Sequence, residues 1–216
     1  MSPGSALPPA AKIGGRHAAW LWVVLVAAVA LGFIIDGPVM AAARPLYHSD
    51  TAELINHTIR YLGTGYVQVP IALLMMAAGA VYGMRTRRAG AWMLVAFVSA
   101  GSLAHILKPI VHRARPYETD LAPERWIGYL GNSDFASFPS AEAATSFAVA
   151  VTLAAWYPRL RLPLILLAAV ISVARVPVGA HHPSDVAAGA LLGIAVGQLA
   201  ISRAARGKHQ QHASAC

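Results

Sequence analysis

The chain has 216 residues, of which 57% are hydrophobic and only 12% are charged. A soluble globular domain carries roughly 25% charged residues, so this composition excludes a disordered chain and argues against an ordinary soluble enzyme. The net charge of +8 would also suit a nucleic-acid-binding protein. However, the apolar residues form long blocks rather than an alternating pattern, which is typical of membrane proteins.

Six segments lack charged residues and are candidate membrane spans. They cover residues 18–35, 67–84, 89–107, 143–157, 162–174 and 186–202. The first three reach or approach the ~17–25 apolar residues that cross ~30 Å of hydrocarbon, and the last three do so only by including polar residues at one end. The sequence therefore predicts an all-α polytopic membrane protein with six transmembrane helices in residues 17–206. Residues 1–16 and 207–216 are predicted to be disordered cytoplasmic tails.

The charged residues divide unevenly if these segments alternate across a bilayer. One side receives no acidic residue and the cations Lys12, Arg16, Arg85, Arg87, Arg88, Arg159, Arg161, Arg203, Arg206 and Lys208. The other side receives all nine acidic residues together with Arg44, Arg60, Lys108, Arg113, Arg115, Arg125 and Arg175. Because Lys and Arg concentrate in short cytoplasmic loops, both termini are predicted to be cytoplasmic. The acidic loops then face outside, which is the periplasm if the membrane is a bacterial inner membrane.

A cleaved signal peptide is the alternative interpretation of the first segment. Its uncharged run from residue 18 to 35 exceeds the ~7–15 apolar residues of a signal sequence, which favours a retained span. Cys216 is the sole cysteine, so an intrachain disulfide and a cysteine-based zinc site are both excluded.

Two connections on the predicted outer side carry further signals. Residues 45–62 place apolar residues at helical spacing behind Ser49 or Asp50 as a cap, which predicts a short helix on the outer surface. Residues 115–138 form a predicted irregular loop rich in Pro, Gly, Asn, Asp and aromatic residues. Loops longer than ~12–15 residues are often functional, and this one is placed to shape entry to a site.

Polar residues gather where the third to sixth segments end on the outer side. The stretches that carry them are KPIVHRARP with Lys108 and Arg115, FPSAEAA with Ser140 and Glu142, and ARVPVGAHHPSDVAAG with Arg175, His181 and Asp185. Taken singly, such residues are most often snorkelling cations, helix caps and structural histidines. Taken together, they contain the groups that phosphate chemistry needs.

Each group has a role in that chemistry. Lys108, Arg115 and Arg175 can neutralise a phosphoryl group, and the helix start at Ser140 adds amide and hydroxyl donors. If the chain is helical there, His181 and Asp185 share a face at i, i+4, so the carboxylate can hold one ring nitrogen protonated while the other attacks phosphorus. His182 competes for the same role, which spacing alone does not exclude.

The order K-x6-RP, then PS, then R-x5-H-x3-D resembles the three-part signature of the type 2 phosphatidic acid phosphatase (PAP2) superfamily. That resemblance implies a six-helix membrane bundle, a phosphohistidine formed on His181 and not on His182, and Asp185 as the residue that orients it. It also implies Lys108, Arg115, Ser140 and Arg175 as phosphate ligands and a reaction without metal or other cofactor. The partners implied are a lipid phosphate substrate and membrane lipids, with no nucleic acid; the oligomeric state stays open.

The sequence departs from the family pattern at the second motif. Where the family usually reads Pro-Ser-Gly-His and uses the His as proton donor, this chain has Ala141 and Glu142, and Ala174 replaces a Ser before the third-motif Arg. Glu142 is the candidate general acid if burial favours its protonated form. Because an unperturbed Glu has a pKa of about 4.3, below the working pH of a good proton donor, its presence favours substrates with acidic leaving groups, such as a polyprenyl diphosphate or a lipid A-like glycolipid, over phosphatidate.

Three other functions remain compatible with these motifs. A lipid-to-lipid phosphotransferase would form the same phosphohistidine, and a vanadate-dependent peroxidase would use related motifs outside a membrane. A non-catalytic lipid-phosphate-binding protein or small transporter would keep the basic pocket, but it would need neither His181 nor Asp185.

Overall fold

The computed structural model describes residues 15–47, 49–119 and 135–213, and within these ranges the elements are helices without strands. In chain order they are α1 (Gly15–Ala43), α2 (Asp50–Gly63), α3 (Gly65–Tyr82), α4 (Met84–Val111), α5 (Pro116–Thr119), α6 (Ala141–Trp156), α7 (Arg161–Val173) and α8 (Pro183–Ala213). Short 3-10 turns at Arg44–Leu46 and Pro158–Leu160 follow α1 and α6. The predicted all-α class is confirmed.

All six predicted apolar segments lie largely in helices. Four stretches are long and apolar enough to cross a membrane, namely Trp22–Leu46, Gly65–Tyr82, Met84–Val111 and Pro183–Arg206. Helix α6, with 16 residues, is apolar but shorter, and α7 has 13 residues. The count of six spans therefore stays a prediction, with four supported by length and composition.

Helices α1 and α8 are longer than predicted. The first span was expected to end at residue 35, before a charged residue, yet α1 continues through Asp36 and Pro38 to Ala43. The helix tolerates Asp36 because that side chain is buried and paired with Arg113. At the other end, α8 continues to Ala213, so residue 206 is not a helix end. The rest of the predicted tails, at 1–14 and 214–216, lies outside the described residues.

The two predicted outer connections have different outcomes. The amphipathic stretch is a helix, α2, and Ser49 is its cap because its hydroxyl accepts a hydrogen bond from Ala52 N at 3.1 Å. In the predicted loop at 115–138 the chain first forms the short helix α5. Residues 120–134 lie outside the described residues.

Helix α6 is the centre of the bundle, since α4, α7 and α8 all pack against it. The closest approach is to α8, where a Cβ added at Gly189 would lie 2.4 Å from Ser140 O and one added at Gly193 would lie 2.3 Å from Ala144 O. Small residues allow such backbone contact between membrane helices. The contact brings the N-terminal ends of α6 and α8 together.

The opposite end of the bundle is basic. The Arg85 guanidinium at the start of α4 donates a hydrogen bond to the carbonyl of Trp156 at the end of α6 and lies 5.5 Å from the centroid of the Tyr157 ring. This contact requires α4 and α6 to run antiparallel. The end of α4 that carries Lys108 therefore lies beside the start of α6 that carries Glu142.

The close contact between α6 and α8 predicts that a larger side chain there destabilises the fold. Gly193→Ala should lower the free energy of unfolding by about 1–3 kcal/mol, because the new methyl group must displace the Ala144 carbonyl. The matched control is Gly37→Ala on α1, where an added Cβ would meet nothing within 4 Å. The measurement is thermal unfolding of the full chain in detergent. Equal midpoints for the two variants would contradict close helix contact at Gly193.

Candidate active site

The predicted site residues meet at one end of the bundle. Lys108 lies in the last turn of α4, Ser140 and Glu142 lie at the start of α6, and Arg175, His181 and Asp185 lie in and after the segment that joins α7 to α8. Arg115 follows α4 directly. Six of these seven side chains are buried or nearly so, with Arg115 half-buried. The structure thus brings together every residue that the sequence placed in the site.

The carboxylate of Asp185 does not hold His181 in the predicted way. Its Oδ2 lies 3.8 Å from His181 Nδ1, beyond hydrogen-bond distance, but 2.7 Å from the backbone N of His182 and 3.1 Å from His182 Nδ1. The reason is the helix boundary: α8 begins at Pro183, so His181 precedes the first turn and shares no helical face with Asp185. Asp185 instead caps the helix start, as an acid at the third helical position does.

The imidazole of His181 is held by a backbone carbonyl. His181 is fully buried, its Nδ1 lies 2.9 Å from Ser137 O, and its Nε2 lies 3.1 Å from Glu142 Oε2. A carbonyl oxygen only accepts hydrogen bonds, so Nδ1 must carry a proton. The other ring nitrogen, Nε2, then faces Glu142.

The Glu142 carboxylate bridges His181 and Arg175. Its Oε1 lies 3.8 Å from Arg175 Nε, and the Arg175 side chain is buried. Burial lowers the pKa of the Arg175 guanidinium from its ordinary value, and the charge of Glu142 opposes that shift. The backbone carbonyl of Arg175 also accepts hydrogen bonds from the N–H groups of Ala180 and His181. The turn therefore fixes Arg175 and His181 at one position relative to each other.

The remaining candidate ligands bond to backbone groups beside His181. Lys108 Nζ donates to the carbonyl of Ala136, and Arg115 Nη1 donates to Ala180 O at 3.2 Å. Ser140 is the N-cap of α6, where its hydroxyl accepts from Ala143 N at 3.3 Å. These cations and the N-terminal end of α6 concentrate positive potential at the site, which suits an anionic group.

Sequence reasoning missed a set of buried polar residues behind His181. They are Asp36, Arg113, Ser137 and Ser184, all with relative exposure of 7% or less. Two of them carried a usable signal: Asp36 is an acid inside a long apolar helix, and such residues often mark functional sites, while Arg113 lies inside the first motif. The carbonyl of Ser137 could not be found from the sequence, because its role depends on the backbone direction.

Among the described residues, no group of three or more His, Cys, Asp or Glu side chains is arranged to hold a metal ion. The groups present are instead a buried histidine whose Nε2 faces Glu142, the bridging Glu142 carboxylate and several cations, which is a set suited to phosphate. These features describe a polytopic helical membrane protein with a candidate anion site beside a buried histidine.

Comparison with known proteins identifies the family. Residues 89–207 match the PAP2 superfamily. A lipid A 1-phosphatase of Rhizobium johnstonii is 32% identical over 88% of this chain and 80% of its own length, and one of Rhizobium etli is 33% identical over 79% and 78%. The chain therefore belongs to the PAP2 superfamily, and the resemblance inferred from its three motifs is confirmed.

Another relative is named for a different lipid substrate, and two solved structures have a similar fold. An undecaprenyl-diphosphatase of Sulfolobus acidocaldarius is 31% identical over 64% of both chains. The crystal structure of a PAP2-type phosphatidylglycerolphosphate phosphatase from Bacillus subtilis matches with a TM-score of 0.62 and 22% identity, over 90% of this chain and 98% of that one. LpxE of Aquifex aeolicus matches with a TM-score of 0.58 and 23% identity, over 78% and 95%.

The position of the buried Arg175 predicts that its side chain contributes to phosphate binding. Arg175→Gln should weaken the binding of orthophosphate by about 10- to 100-fold, since a hydrogen bond to a charged group contributes ~1.5–3 kcal/mol. Arg161→Gln, at an exposed arginine on the opposite end of the bundle, should leave binding unchanged. Isothermal titration of each variant with orthophosphate in detergent measures the difference. If both variants bind like the wild type, Arg175 is not a phosphate ligand.

Proposed function

We propose that this protein removes a phosphate group from a membrane lipid through a covalent intermediate on His181 Nε2. The observation that carries the proposal is the hydrogen bond of His181 Nδ1 to the Ser137 carbonyl, which leaves Nε2 as the nitrogen available for bonding to phosphorus. Family membership and relatives named for lipid A and for undecaprenyl diphosphate support a lipid substrate.

The first chemical step uses the contact between His181 and Glu142. Because Nδ1 already carries a proton, the 3.1 Å contact between Nε2 and Glu142 Oε2 requires one further proton, shared by the two groups. Transfer of that proton to Glu142 leaves a lone pair on Nε2 and a carboxylic acid beside it. One transfer thus prepares both the nucleophile and the general acid.

Phosphoryl transfer then proceeds in two balanced steps. In the first, Nε2 bonds to phosphorus, the bond from phosphorus to the lipid oxygen breaks, and Glu142 gives its proton to that oxygen. In the second, Glu142 takes a proton from water, the water oxygen bonds to phosphorus, and the bond from Nε2 to phosphorus breaks. Lys108, Arg115 and Arg175 stabilise the charge on the transferring group throughout, with the N–H groups at the start of α6.

The nature of the acid favours certain lipids. An unperturbed glutamic acid has a lower pKa than imidazolium, so at neutral pH it is more often ionised and less often carries the proton to be donated. It therefore suffices best where the leaving group needs little protonation. A diphosphate, which releases a phosphate, and a glycolipid phosphate, which releases a sugar hydroxyl, meet that condition better than phosphatidate. The relatives named for lipid A and for undecaprenyl diphosphate agree with this preference.

The orientation proposed for the membrane places the site outside. The bundle end that holds His181 also holds the acidic residues Asp36, Glu142 and Asp185, whereas the opposite end holds arginines of α4 and α8. Since basic residues favour the cytoplasmic face, we assign both termini to the cytoplasm and the site to the periplasmic face of a bacterial inner membrane.

The proposed function predicts that phosphate release survives chelation and depends on His181. Purified full-length protein in detergent with EDTA should release phosphate from polyprenyl diphosphate or lipid A, and His181→Ala should lower that rate by at least about 1,000-fold. The control is His105→Ala, at an exposed histidine of α4. Retained turnover in His181→Ala would overturn the mechanism. Transfer of labelled phosphate to a second lipid instead of water would identify a phosphotransferase.

A second prediction separates the role of Glu142 as proton donor to the leaving group from its role as proton acceptor. Glu142→Gln removes the proton donor, so turnover of an alkyl phosphate such as phosphatidate should fall by at least about tenfold more than turnover of a polyprenyl diphosphate. Asp50→Asn, at an exposed acid of α2, should change neither rate. The ratio of kcat values for the two substrates measures the effect. An equal loss on both substrates would contradict Glu142 as the leaving-group acid.

A further inference from the structure

A chain of buried polar contacts joins the first helix to His181. It begins at Asp36, which lies in the apolar stretch of α1 and is 6% exposed. A charged side chain inside a membrane helix is costly unless it is paired, and such residues usually have a function. Asp36 takes no part in the proposed phosphoryl transfer, so its burial at this end of the bundle calls for another role.

Helix α1 reaches the site through a close contact with the start of α8. A Cβ added at Gly32 would lie 2.8 Å from Ser184 Cα, so the two backbones nearly touch. One turn later, Asp36 Oδ1 accepts a hydrogen bond from Ser184 N at 2.9 Å, and its Oδ2 accepts from the Ser184 hydroxyl. The Asp36 carboxylate is therefore fixed relative to the first turn of α8.

Arg113 connects Asp36 to Asp185. Its Nη2 lies 2.7 Å from Asp36 Oδ2, and its Nη1 lies 2.7 Å from Asp185 Oδ1. The guanidinium carbon lies 5.1 Å from the centroid of the Phe33 ring, which is also on α1. Because the guanidinium is planar and rigid, a fixed Asp36 fixes the direction in which Arg113 holds Asp185.

Ser137 completes the chain. Its hydroxyl donates to Asp185 Oδ2, and its backbone N donates to Arg113 O at 3.0 Å. Its carbonyl, in turn, accepts from His181 Nδ1 at 2.9 Å. Asp185 thus reaches His181 through Ser137 rather than by a direct hydrogen bond.

We propose that Asp36 is a positioning residue for the nucleophile, acting on His181 through Arg113, Asp185 and Ser137. The proposal rests on the proposed function, because it assumes that His181 Nε2 attacks phosphorus. The close backbone contact at Gly32 already holds α1 against α8. The series of polar contacts also fixes the direction of the Ser137 carbonyl. That carbonyl in turn fixes the orientation of the His181 ring and keeps a proton on its Nδ1.

The primary test is Asp36→Asn in the full-length protein. The substitution keeps the shape and removes the charge that holds Arg113, so kcat should fall by about 10- to 100-fold while KM changes by less than about threefold. Asp50→Asn is the matched control, since it removes an exposed carboxylate at the start of α2. A kcat equal to that of the control would overturn the proposal, and so would a loss confined to KM.

A double-mutant cycle separates positioning from general destabilisation. Asp36 has no contact with Ser137, yet Asp36→Asn and Ser137→Ala should each interrupt the same chain, so the double variant should lose little more kcat than the worse single variant. Asp36→Asn should also be combined with Arg175→Gln, at a proposed phosphate ligand outside this series of polar contacts. In that double variant the two losses of kcat should multiply. Multiplied losses in the first pair would overturn the proposal.

Two further measurements keep the outcome decisive. If Asp36→Asn does not fold in detergent, Ser184→Ala replaces it in the cycle with Ser137→Ala, because it removes the hydroxyl that donates to Asp36 and accepts from Arg113 and keeps the charge of Asp36. If the wild type turns over no lipid, the proposed function fails. The proposal about Asp36 is then still decided by the nitrogen NMR shift of His181 Nδ1, which should change in Asp36→Asn and not in Asp50→Asn.

Discussion

The hydrogen bond from His181 Nδ1 to the carbonyl of Ser137 is the contact on which the site depends. A carbonyl cannot donate, so this bond fixes the tautomer and directs Nε2 toward Glu142, whose other oxygen lies near Arg175. A carboxylate in the same place would also stabilise a charged imidazolium, as in a catalytic triad. A neutral carbonyl does so less, which leaves the second proton to be governed by Glu142.

The packing of the helices brings together the segments that form this hydrogen bond. The close α6–α8 contact at Gly189 and Gly193 brings the start of α6 to the start of α8, and Ser140 N donates to Asp185 O at 3.0 Å across the junction. Charges buried at such a junction are costly unless each is paired. The pairs of Arg113 with Asp36 and Asp185, and of Arg175 with Glu142, meet that condition.

Much of this arrangement could be predicted from the sequence. Apolar length identified the helices, and the motif spacing identified a set of side chains that lie together: Lys108, Arg115, Ser140, Arg175, His181 and Asp185. The topology inferred from charge asymmetry stays a prediction. The hydrogen-bond partners of these side chains could not be predicted in the same way. Asp185 does lie near His181, with Oδ2 3.8 Å from Nδ1, but the two share no helical face because the helix begins at Pro183, two residues later than the prediction assumed. Ser137 and Asp36 were missed because their roles depend on tertiary contacts between segments distant in the chain.

In the proposed mechanism, Glu142 takes the place of the histidine that is usual in the family's second motif, and this changes how the proton is controlled. In this mechanism, Arg175 and the N-terminal end of α6 stabilise the Glu142 carboxylate, and the proton shared with His181 must move to Glu142 before Nε2 can attack phosphorus. A phosphate group entering the site brings negative charge to these same cations and repels the carboxylate, which favours transfer of the proton to Glu142. The substrate itself would then activate the nucleophile, and the proton would reach the acid only when a leaving group is present to receive it.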